Sequence, residues 1–418
     1  MSGRFLVSAV VGMLVGCSSN DDGSLGPGGE DASIEVGSPA DATGGDSTLP
    51  PGDAPPTPTD STAIDTGPSV GKAAAIAKKL RGKTNFMIGM GNDLASDHSK
   101  DGAYTLGVTM DLHYTYLVGL KGAGGWPEWN TGGSFVNIMT DSADAKGVTP
   151  MFTLYQMAAW GDGELGGLTD NAYMKPYWDG VKLMFERIAV FGKPTVVQFE
   201  PDFWGYCLQR NPDPTKIPVN LKANAPDCAD LPNDLSGFGR CLVRLARKYA
   251  PNATIGFHAS NFGTTPAAVS SFLKSVGATE ADVIVVETLD RDAGCFEAAV
   301  DPNCKRGGKF YWDETNATSP NFKEHLTWVK AVADSLALPA LWWQTPFGVP
   351  SATPGGTAGK YRDNRVKYVF EHVNEFVAAG GVGVAFGTGA GNQTTHTTDG
   401  GQFKTAVTKY FAAPVSLP

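Results

Sequence analysis

Short apolar runs alternate along the chain with longer stretches whose apolar residues recur every three or four positions. Four of the longer stretches, "YWDGVKLMFERIAVFG", "GFGRCLVRLARKYA", "FKEHLTWVKAVADSLA" and "RVKYVFEHVNEFVAAG", have the 3.6-residue period of amphipathic helices. The short runs are rich in β-branched and aromatic residues, as buried strands are. Eight such runs cover residues 85–93, 110–117, 149–157, 194–202, 253–261, 281–290, 339–347 and 381–389.

Eight buried strands, most of them followed by a helix, predict a closed (β/α)₈ TIM barrel. A doubly wound open sheet is the alternative, since it has the same alternation. That fold favours a Gly-x-Gly-x-x-Gly turn after the first strand, and "GMGND" at this place has only two glycines. We therefore predict an α/β protein with one barrel domain over residues 72–418.

The N-terminal segment differs in composition from the rest. Arg4 precedes an apolar run at 5–15 that is short for a bilayer span. Residues 18–70 contain no Phe, Trp, Tyr, Lys or Arg, and ten acidic residues lie between Asp21 and Asp65. Such a segment buries too little apolar surface to offset its ordering entropy. We expect a signal peptide over 1–16 and a disordered tether over 17–71.

The apolar run ends in "LVGC", which resembles the lipobox of bacterial lipoproteins. The resemblance implies cleavage before Cys17 and acylation of this residue, and hence a lipid anchor in the cell envelope, at the outer membrane or the cell surface. An ordinary secretory signal with a chance cysteine is the alternative. The tether's ten acids equal the formal net charge of −10, so the barrel is nearly neutral. Nucleic acid is therefore not an expected partner, and we expect a monomer.

The chain has six cysteines. If Cys17 is acylated, five remain in an oxidising compartment, where they can form at most two disulfides. Cys295 and Cys304 flank a short loop and form an obvious pair. Cys207 and Cys228 flank a long loop and are the second candidate pair, while Cys241, on a predicted helix, is either a buried free thiol or another partner for Cys207.

Chemically capable side chains collect where the predicted strands end, which in a barrel is one rim. They are Asp93, His113, Tyr155, Glu200, Asp202, His258, Asn261, Glu287, Asp290, Trp343 and Gln344. The six histidines are scattered without a metal-binding spacing, and no Gly-x-Ser-x-Gly motif is present. We therefore expect no metal and no cofactor.

Paired carboxylates among aromatic rings are typical of glycoside hydrolysis, in which one carboxylic acid protonates the leaving oxygen and a second carboxylate attacks or activates water. Rings also offer flat apolar faces to sugars. The nearby rings are Trp126, Trp129, Trp160, Trp204, Tyr206, Trp342 and Trp343.

The segment "VVQFEPDFWGY" at 196–206 resembles the Glu-Pro motif that ends the fourth strand of many barrel glycoside hydrolases of the cellulase and mannanase type. The resemblance implies that Glu200 is the general acid/base. The sequence departs from that pattern at Phe199, where those enzymes usually carry Asn, and at Gln344, where their nucleophilic Glu would stand.

Strand periodicity selects the second carboxylate. Glu287 is on the same face of its strand as Val285, and Glu200 is on the same face as Gln198 and Asp202, so the two glutamates are expected to share one space. Asp290, Asp202 and Asp93 are alternatives to Glu287, and Asp290 has a structural alternative as a partner of Arg291. The stereochemical outcome, retention or inversion, stays open.

The sequence thus predicts an exported glycosidase acting on a polysaccharide, tethered to a membrane only through lipid on Cys17. The alternative is a surface lipoprotein that binds carbohydrate without cleaving it. His113, His258, Asn261, Gln344 and the rings of Trp126, Tyr155, Trp204, Tyr206 and Trp343 are the expected substrate contacts, together with the remaining acids Asp93, Asp202 and Asp290.

Overall fold

The barrel is seen in a computed structural model that describes residues 70–161, 163–288, 291–299, 304–305, 311–348, 363–389 and 393–418. Eight parallel strands close in chain order, with the last beside the first, which confirms the predicted (β/α)₈ fold. Each overlaps its predicted run. They are β1 (Met87–Gly91), β2 (Leu112–Val118), β3 (Thr149–Tyr155), β4 (Thr195–Phe199), β5 (Ala253–His258), β6 (Val283–Val286), β7 (Ala340–Thr345) and β8 (Gly381–Gly387).

Helices surround the barrel within the described residues. The fourth predicted helical stretch forms two helices that meet at His372. The helices are α1 (Val70–Arg81), α2 (Gly102–Thr105), α3 (Trp126–Trp129), α4 (Phe135–Ala145), α5 (Asn171–Phe191), α6 (Phe203–Arg210), α7 (Leu235–Tyr249), α8 (Pro266–Ser275), α9 (Ala293–Ala298), α10 (Phe322–Leu336), α11 (Arg365–Glu371), α12 (Val373–Ala378) and α13 (Gln402–Ala412).

Alternation along the strands divides side chains between the barrel interior and the helical layer. On β4, Gln198 points inward and contacts His258 of β5, whereas the Phe199 ring packs on Phe185 of α5. On β7, Trp343 points inward, whereas the neighbouring Trp342 donates from its indole nitrogen to His325 of α10. The inward face therefore carries polar and aromatic groups, which is where a site can form.

Glycines let one large ring fit where the barrel closes. A β-carbon built on Gly387 of β8 would lie 1.8 Å from the Tyr114 hydroxyl oxygen of β2. One built on Gly91 of β1 would lie 2.3 Å from the backbone oxygen of Tyr114. A side chain at either position would overlap atoms already there, so Tyr114 requires glycine at these positions of β1 and β8.

One predicted disulfide is present and the other is wrong. Cys295 and Cys304 are bonded, as expected. Cys228 pairs with Cys241 of α7 and not with Cys207, which is a buried free thiol in the middle of α6. Cys207 is one of the inward-facing residues of that helix and packs in the core, whereas Cys228 lies on the loop that returns to α7.

The predicted signal peptide, Cys17 and nearly all of the predicted tether lie outside the described residues, and the first helix begins at Val70. None of the helices in the described ranges combines the length and the apolar character that a bilayer crossing requires.

Candidate functional site

Glu200 directly follows β4, but its side chain is enclosed. The Glu200 amide still continues the parallel ladder by donating to the Leu154 oxygen. The backbone then turns to a φ of 43°. The carboxylate has no exposed surface and accepts hydrogen bonds from the amides of Gln156 and Met157, at 3.3 and 3.0 Å. It therefore lies between the barrel wall and α5, away from the barrel interior.

Burial dominates the electrostatics of this carboxyl group. It raises the pKa of Glu200 to about 8, although the Met157 amide, the Tyr177 hydroxyl and the Gln156 amide all favour the charged form. A carboxyl group with such a pKa would suit a general acid. This one, however, is sealed behind the strand, so the expectation that Glu200 and Glu287 meet around one saccharide does not hold in this structure.

Asp202 takes the place that Glu200 was expected to occupy. Asp202 has a positive φ, 64°, as Glu200 does, so two of the three residues after β4 have an uncommon backbone conformation. One oxygen of Asp202, one oxygen of Glu287 and one ring nitrogen of His258 all lie within 4.8 Å of one another. Both carboxylates are partly exposed, and His258 is fully buried below them. Three strand ends, those of β4, β5 and β6, thus converge at the mouth of the barrel.

His258 is held from below by a chain of polar groups inside the barrel. Its Nδ1 lies 3.0 Å from Nε2 of Gln198, and Oε1 of Gln198 accepts from the Thr153 hydroxyl at 3.1 Å. Nε2 of His258 is buried and makes no hydrogen bond among the described residues. Burial lowers the pKa of His258 to about 3, so the ring is neutral.

Aromatic rings line the remainder of the mouth. Tyr116 packs against Tyr155 and Trp343, and Trp343 packs against His258. The Tyr116 hydroxyl donates to Oε1 of Gln344 at 2.6 Å. Gln344 has a φ of 53° and lies where the pairing of β7 with β8 shifts register, which turns its amide toward the interior.

A small cleft adjoins this group. Pro201 and Phe203, which flank Asp202 in sequence, line it together with Tyr155 and Tyr206. Tyr206 is partly exposed and packs against Phe262. The mouth thus contains seven of the residues singled out in the sequence. They are Tyr155, Asp202, Tyr206, His258, Glu287, Trp343 and Gln344.

Asp93 and His113, two predicted substrate contacts, lie behind the barrel wall. Nε2 of His113 is 2.7 Å from the Asp93 carboxylate, and its Nδ1 is 2.8 Å from the Tyr104 hydroxyl. Burial opposes charge on both groups, but their mutual attraction lowers the pKa of Asp93 and raises that of His113. Because the pair is enclosed, neither side chain reaches the mouth of the barrel. On β2 it is Tyr114 and Tyr116 that face inward.

Two predicted sugar-binding rings are core residues. Trp126 is fully buried beside Gly133. Trp204 donates to the Phe199 oxygen and packs among Phe203, Phe238 and Phe257 in the helical layer. Asn261 is exposed on the loop after β5. Asp290 lies outside the described residues.

Sequence reasoning missed Tyr116, Gln198 and Thr153 as parts of the site. The signal was available for Tyr116, because it shares a strand face with Tyr114 and therefore alternates with His113. Gln198 is on the predicted inward face of β4, but an uncharged amide there does not by itself indicate a role. Thr153 gave no chemical signal, since its function is to hold Gln198.

The arrangement supplies two partly exposed carboxylates close together, a neutral imidazole beneath them, and rings around them. Such a group can exchange protons with a bound hydroxyl or glycosidic oxygen, attack an electrophilic carbon, or ligate a cation. No other group of three His, Cys, Asp or Glu side chains is this close together among the described residues.

No family model and no curated protein matches the sequence. Solved structures that resemble it include a Cellulomonas fimi endo-β-1,4-mannanase double mutant, with 12% identity, a TM-score of 0.45, and coverage of 82% of this chain and 74% of that one. A GH26 β-mannanase from Bacteroides ovatus has 10% identity, a TM-score of 0.43, and coverage of 84% and 96%. D-psicose 3-epimerase from Clostridium cellulolyticum has 11% identity, a TM-score of 0.40, and coverage of 78% and 99%. The likeness concerns the barrel and carries no argument about activity.

Proposed function

We propose that the protein is a glycoside hydrolase that cleaves a polysaccharide, with Asp202 and Glu287 as its two carboxylates. The observation that carries the proposal is the approach of their oxygens within 4.8 Å at the mouth of the barrel. Carboxyl groups about 5–5.5 Å apart are typical of retaining glycosidases, whereas inverting enzymes separate them by roughly 6.5–9.5 Å. The proposal therefore includes retention of configuration.

In this proposal Asp202 is the acid/base and Glu287 the nucleophile. Protonated Asp202 donates its proton to the glycosidic oxygen while Glu287 attacks the anomeric carbon, and the leaving sugar departs as an alcohol. Water then attacks the glycosyl ester, Asp202 takes the water's proton, and Glu287 is released as a carboxylate. Tyr116, Tyr155, Tyr206 and Trp343 would hold the sugar rings, as aromatic faces do.

The test compares matched variants of the purified protein on β-glucans, mannans, xylans, chitin and peptidoglycan, with new reducing ends as the signal. Glu287→Gln and Asp202→Asn should each lower kcat by at least about 10³-fold, because each removes a group that acts in the transition state. Glu200→Gln makes the same chemical change behind the strand and should retain activity within a few-fold.

Two results would reject this assignment. One is hydrolysis by Glu287→Gln at the wild-type rate. The other is saturable glycan binding by the wild-type protein with no cleavage of any of these polymers, which would favour the alternative of a carbohydrate-binding lipoprotein. The Gln344 amide at the end of β7, where the related motif would place a nucleophile, is the feature that supports that alternative.

Export and anchoring are part of the proposal, supported by the apolar run at 5–15 and the "LVGC" segment. Cys17→Ser should move the protein from the membrane fraction to the soluble periplasmic or extracellular fraction. Equal membrane association of both forms would reject lipidation at this residue.

A further inference from the structure

We propose that Asp202, His258 and Glu287 form a binding site for a divalent first-row transition-metal ion. The observation behind this is the convergence of one imidazole nitrogen and two carboxylate oxygens within 4.8 Å, at the ends of three different strands. A carboxylate pair alone would be an ordinary feature of a barrel rim. What distinguishes this group is the buried histidine beneath it.

The unpartnered nitrogen of His258 points to a ligand. Nδ1 is occupied by Gln198, which leaves Nε2 as the nitrogen available to the carboxylates. His258 has no exposed surface, and its Nε2 makes no hydrogen bond among the described residues. Leaving a buried polar atom unpaired is unfavourable, because it has lost its hydrogen bond to water. A metal ion bound at Nε2 would remove that cost.

The donor set fits the chemistry of such an ion. Imidazole nitrogen and carboxylate oxygen bind Zn²⁺ at about 2.0–2.2 Å, and three protein ligands with an open position are usual for zinc sites that react. Two ligands at that distance lie about 3.4 Å apart at a tetrahedral angle. Atoms that lie within 4.8 Å of one another would therefore need to close by at most about 1.4 Å, through side-chain rotation of Asp202 and Glu287.

The polar chain below the ring fits a ligating histidine. A histidine that binds metal through Nε2 carries its proton on Nδ1 and needs an acceptor there. Gln198 provides one when its amide is turned by 180° from the orientation described above, so that oxygen faces the ring and nitrogen faces the Thr153 hydroxyl, which can accept as well as donate. Gln198 and Thr153 are therefore positioning residues for His258.

This inference concerns the same carboxylates as the proposed function. A bound cation would neutralise both carboxylates and occupy the space of the sugar, so metal and substrate compete. Hydrolysis is accordingly expected to persist in excess chelator and to fall as Zn²⁺ fills the site. Binding itself can be measured without any substrate, which keeps the two proposals separable.

The experiment strips the full chain of metal with a chelator, removes the chelator, and titrates Zn²⁺ and Mn²⁺ separately by calorimetry, with Mg²⁺ for comparison. One equivalent of Zn²⁺ should bind per chain. His258→Gln should weaken that binding by at least about 100-fold. His372→Gln is the matched control, because His372 also pairs with a carboxylate (Glu375, 2.8 Å) but on an exposed helix end, and it should change nothing.

Asp202→Asn and Glu287→Gln provide a second measurement that does not depend on the buried ring. Each side chain is partly exposed, and each variant should lose Zn²⁺ affinity while keeping the wild-type Tm of the metal-free protein within a few degrees. Co²⁺ should give visible absorption bands in the wild-type protein that are absent in these variants. The inference is overturned if the wild-type chain shows no saturable binding, or if all three variants bind as the wild type does.

Separate results identify which proposal fails. Hydrolysis in chelator without any metal binding would remove the metal site and leave the glycosidase intact. Tight metal binding with hydrolysis that requires the ion would remove the metal-free two-carboxylate mechanism and leave the metal site intact.

Discussion

At the residue scale, the sign of the backbone angle φ decides which carboxylate of the "EPD" segment reaches the mouth of the barrel. Simple alternation places Glu200 and Asp202 on the same inward face as Gln198. In the structure φ is positive at both residues, and only Asp202 reaches the mouth, while Glu200 is sealed against the Gln156 and Met157 amides. Positive φ in residues other than glycine is uncommon and concentrates at functional sites.

The buried Glu200 predicts a pH-dependent stability. Its pKa is near 8 in the folded protein and about 4.5 in the unfolded chain. Between these values the folded form keeps a proton that the unfolded form releases, so the contribution of this group is present in full below pH 4.5 and is lost as pH rises through 8. Glu200→Gln mimics the protonated form and should remove this dependence.

The measurement is the free energy of urea unfolding at pH 5, 6.5 and 8. Relative to the wild type, Glu200→Gln should gain stability from pH 5 to pH 8, by an amount on the order of a few kcal/mol. Glu186 is on the exposed face of α5, and the free energy of unfolding of Glu186→Gln should change with pH as that of the wild type does. If the free energy of unfolding of Glu200→Gln also changes with pH as that of the wild type does, the Glu200 carboxyl is not buried in solution.

The face on which a side chain lies could be predicted from the sequence where the strand periodicity is unbroken. Glu287 and His258 end strands that keep their alternation up to the site, and both reach the mouth. Asp93 and His113 do not reach the mouth, because His113 is the second residue of β2 and faces outward, and Asp93 is paired with it behind the wall. The φ reversals at Glu200 and Gln344 have no sequence signature, because neither is glycine, asparagine or aspartate.

At the scale of elements, strands and long helices were predictable because each carries its own period over many residues. The structure of the loop between β4 and α7 could not be predicted in this way. Its disulfide joins Cys228 to Cys241, and the choice among three cysteines depends on which face of α6 turns into the core, a tertiary property. Cys207 is on that face and so is unavailable.

The Cys228–Cys241 bond closes a span of 13 residues between the loop and α7. Closing a loop of this size stabilises a fold by about 3 kcal/mol in the chain-entropy account. Cys228→Ala and Cys241→Ala should each lower the free energy of unfolding by about 2–4 kcal/mol. The double variant should lose little more than either single variant, because the bond is already broken in each.

Peptide mapping without reduction provides the independent check. A joined peptide pair containing Cys228 and Cys241 should be recovered, and Cys207 should react with an alkylating agent only after unfolding. Recovery of a Cys207–Cys228 peptide would contradict the structure and restore the pairing expected from sequence.

At the scale of the whole molecule, barrel closure depends on residues that carry no side chain. The count of eight strands gave the fold, yet nothing in the periodic pattern indicates how β8 meets β1 and β2. Gly91 and Gly387 allow Tyr114 to occupy the space between them. A ring of that size inside a small barrel requires a gap on the facing strand.

Gly387→Ala should therefore destabilise the whole barrel. The added methyl group would overlap the Tyr114 hydroxyl, and overpacking of a core commonly costs about 1–3 kcal/mol. Thermal unfolding should show a lower Tm. Gly71→Ala in the exposed part of α1, where nothing lies within 4 Å of the added carbon, should be neutral or slightly stabilising. An unchanged Tm for Gly387→Ala would mean that the Tyr114 hydroxyl does not lie against Gly387 of β8.

The positive φ angles of two residues after β4 also matter for the redesign of this protein. A designer who chooses inward positions by counting every second residue would vary Glu200 and so disrupt the packing between wall and helix. New chemistry grafted onto this scaffold should instead replace Gln198 and Asp202, four positions apart, and leave the residue midway between them untouched.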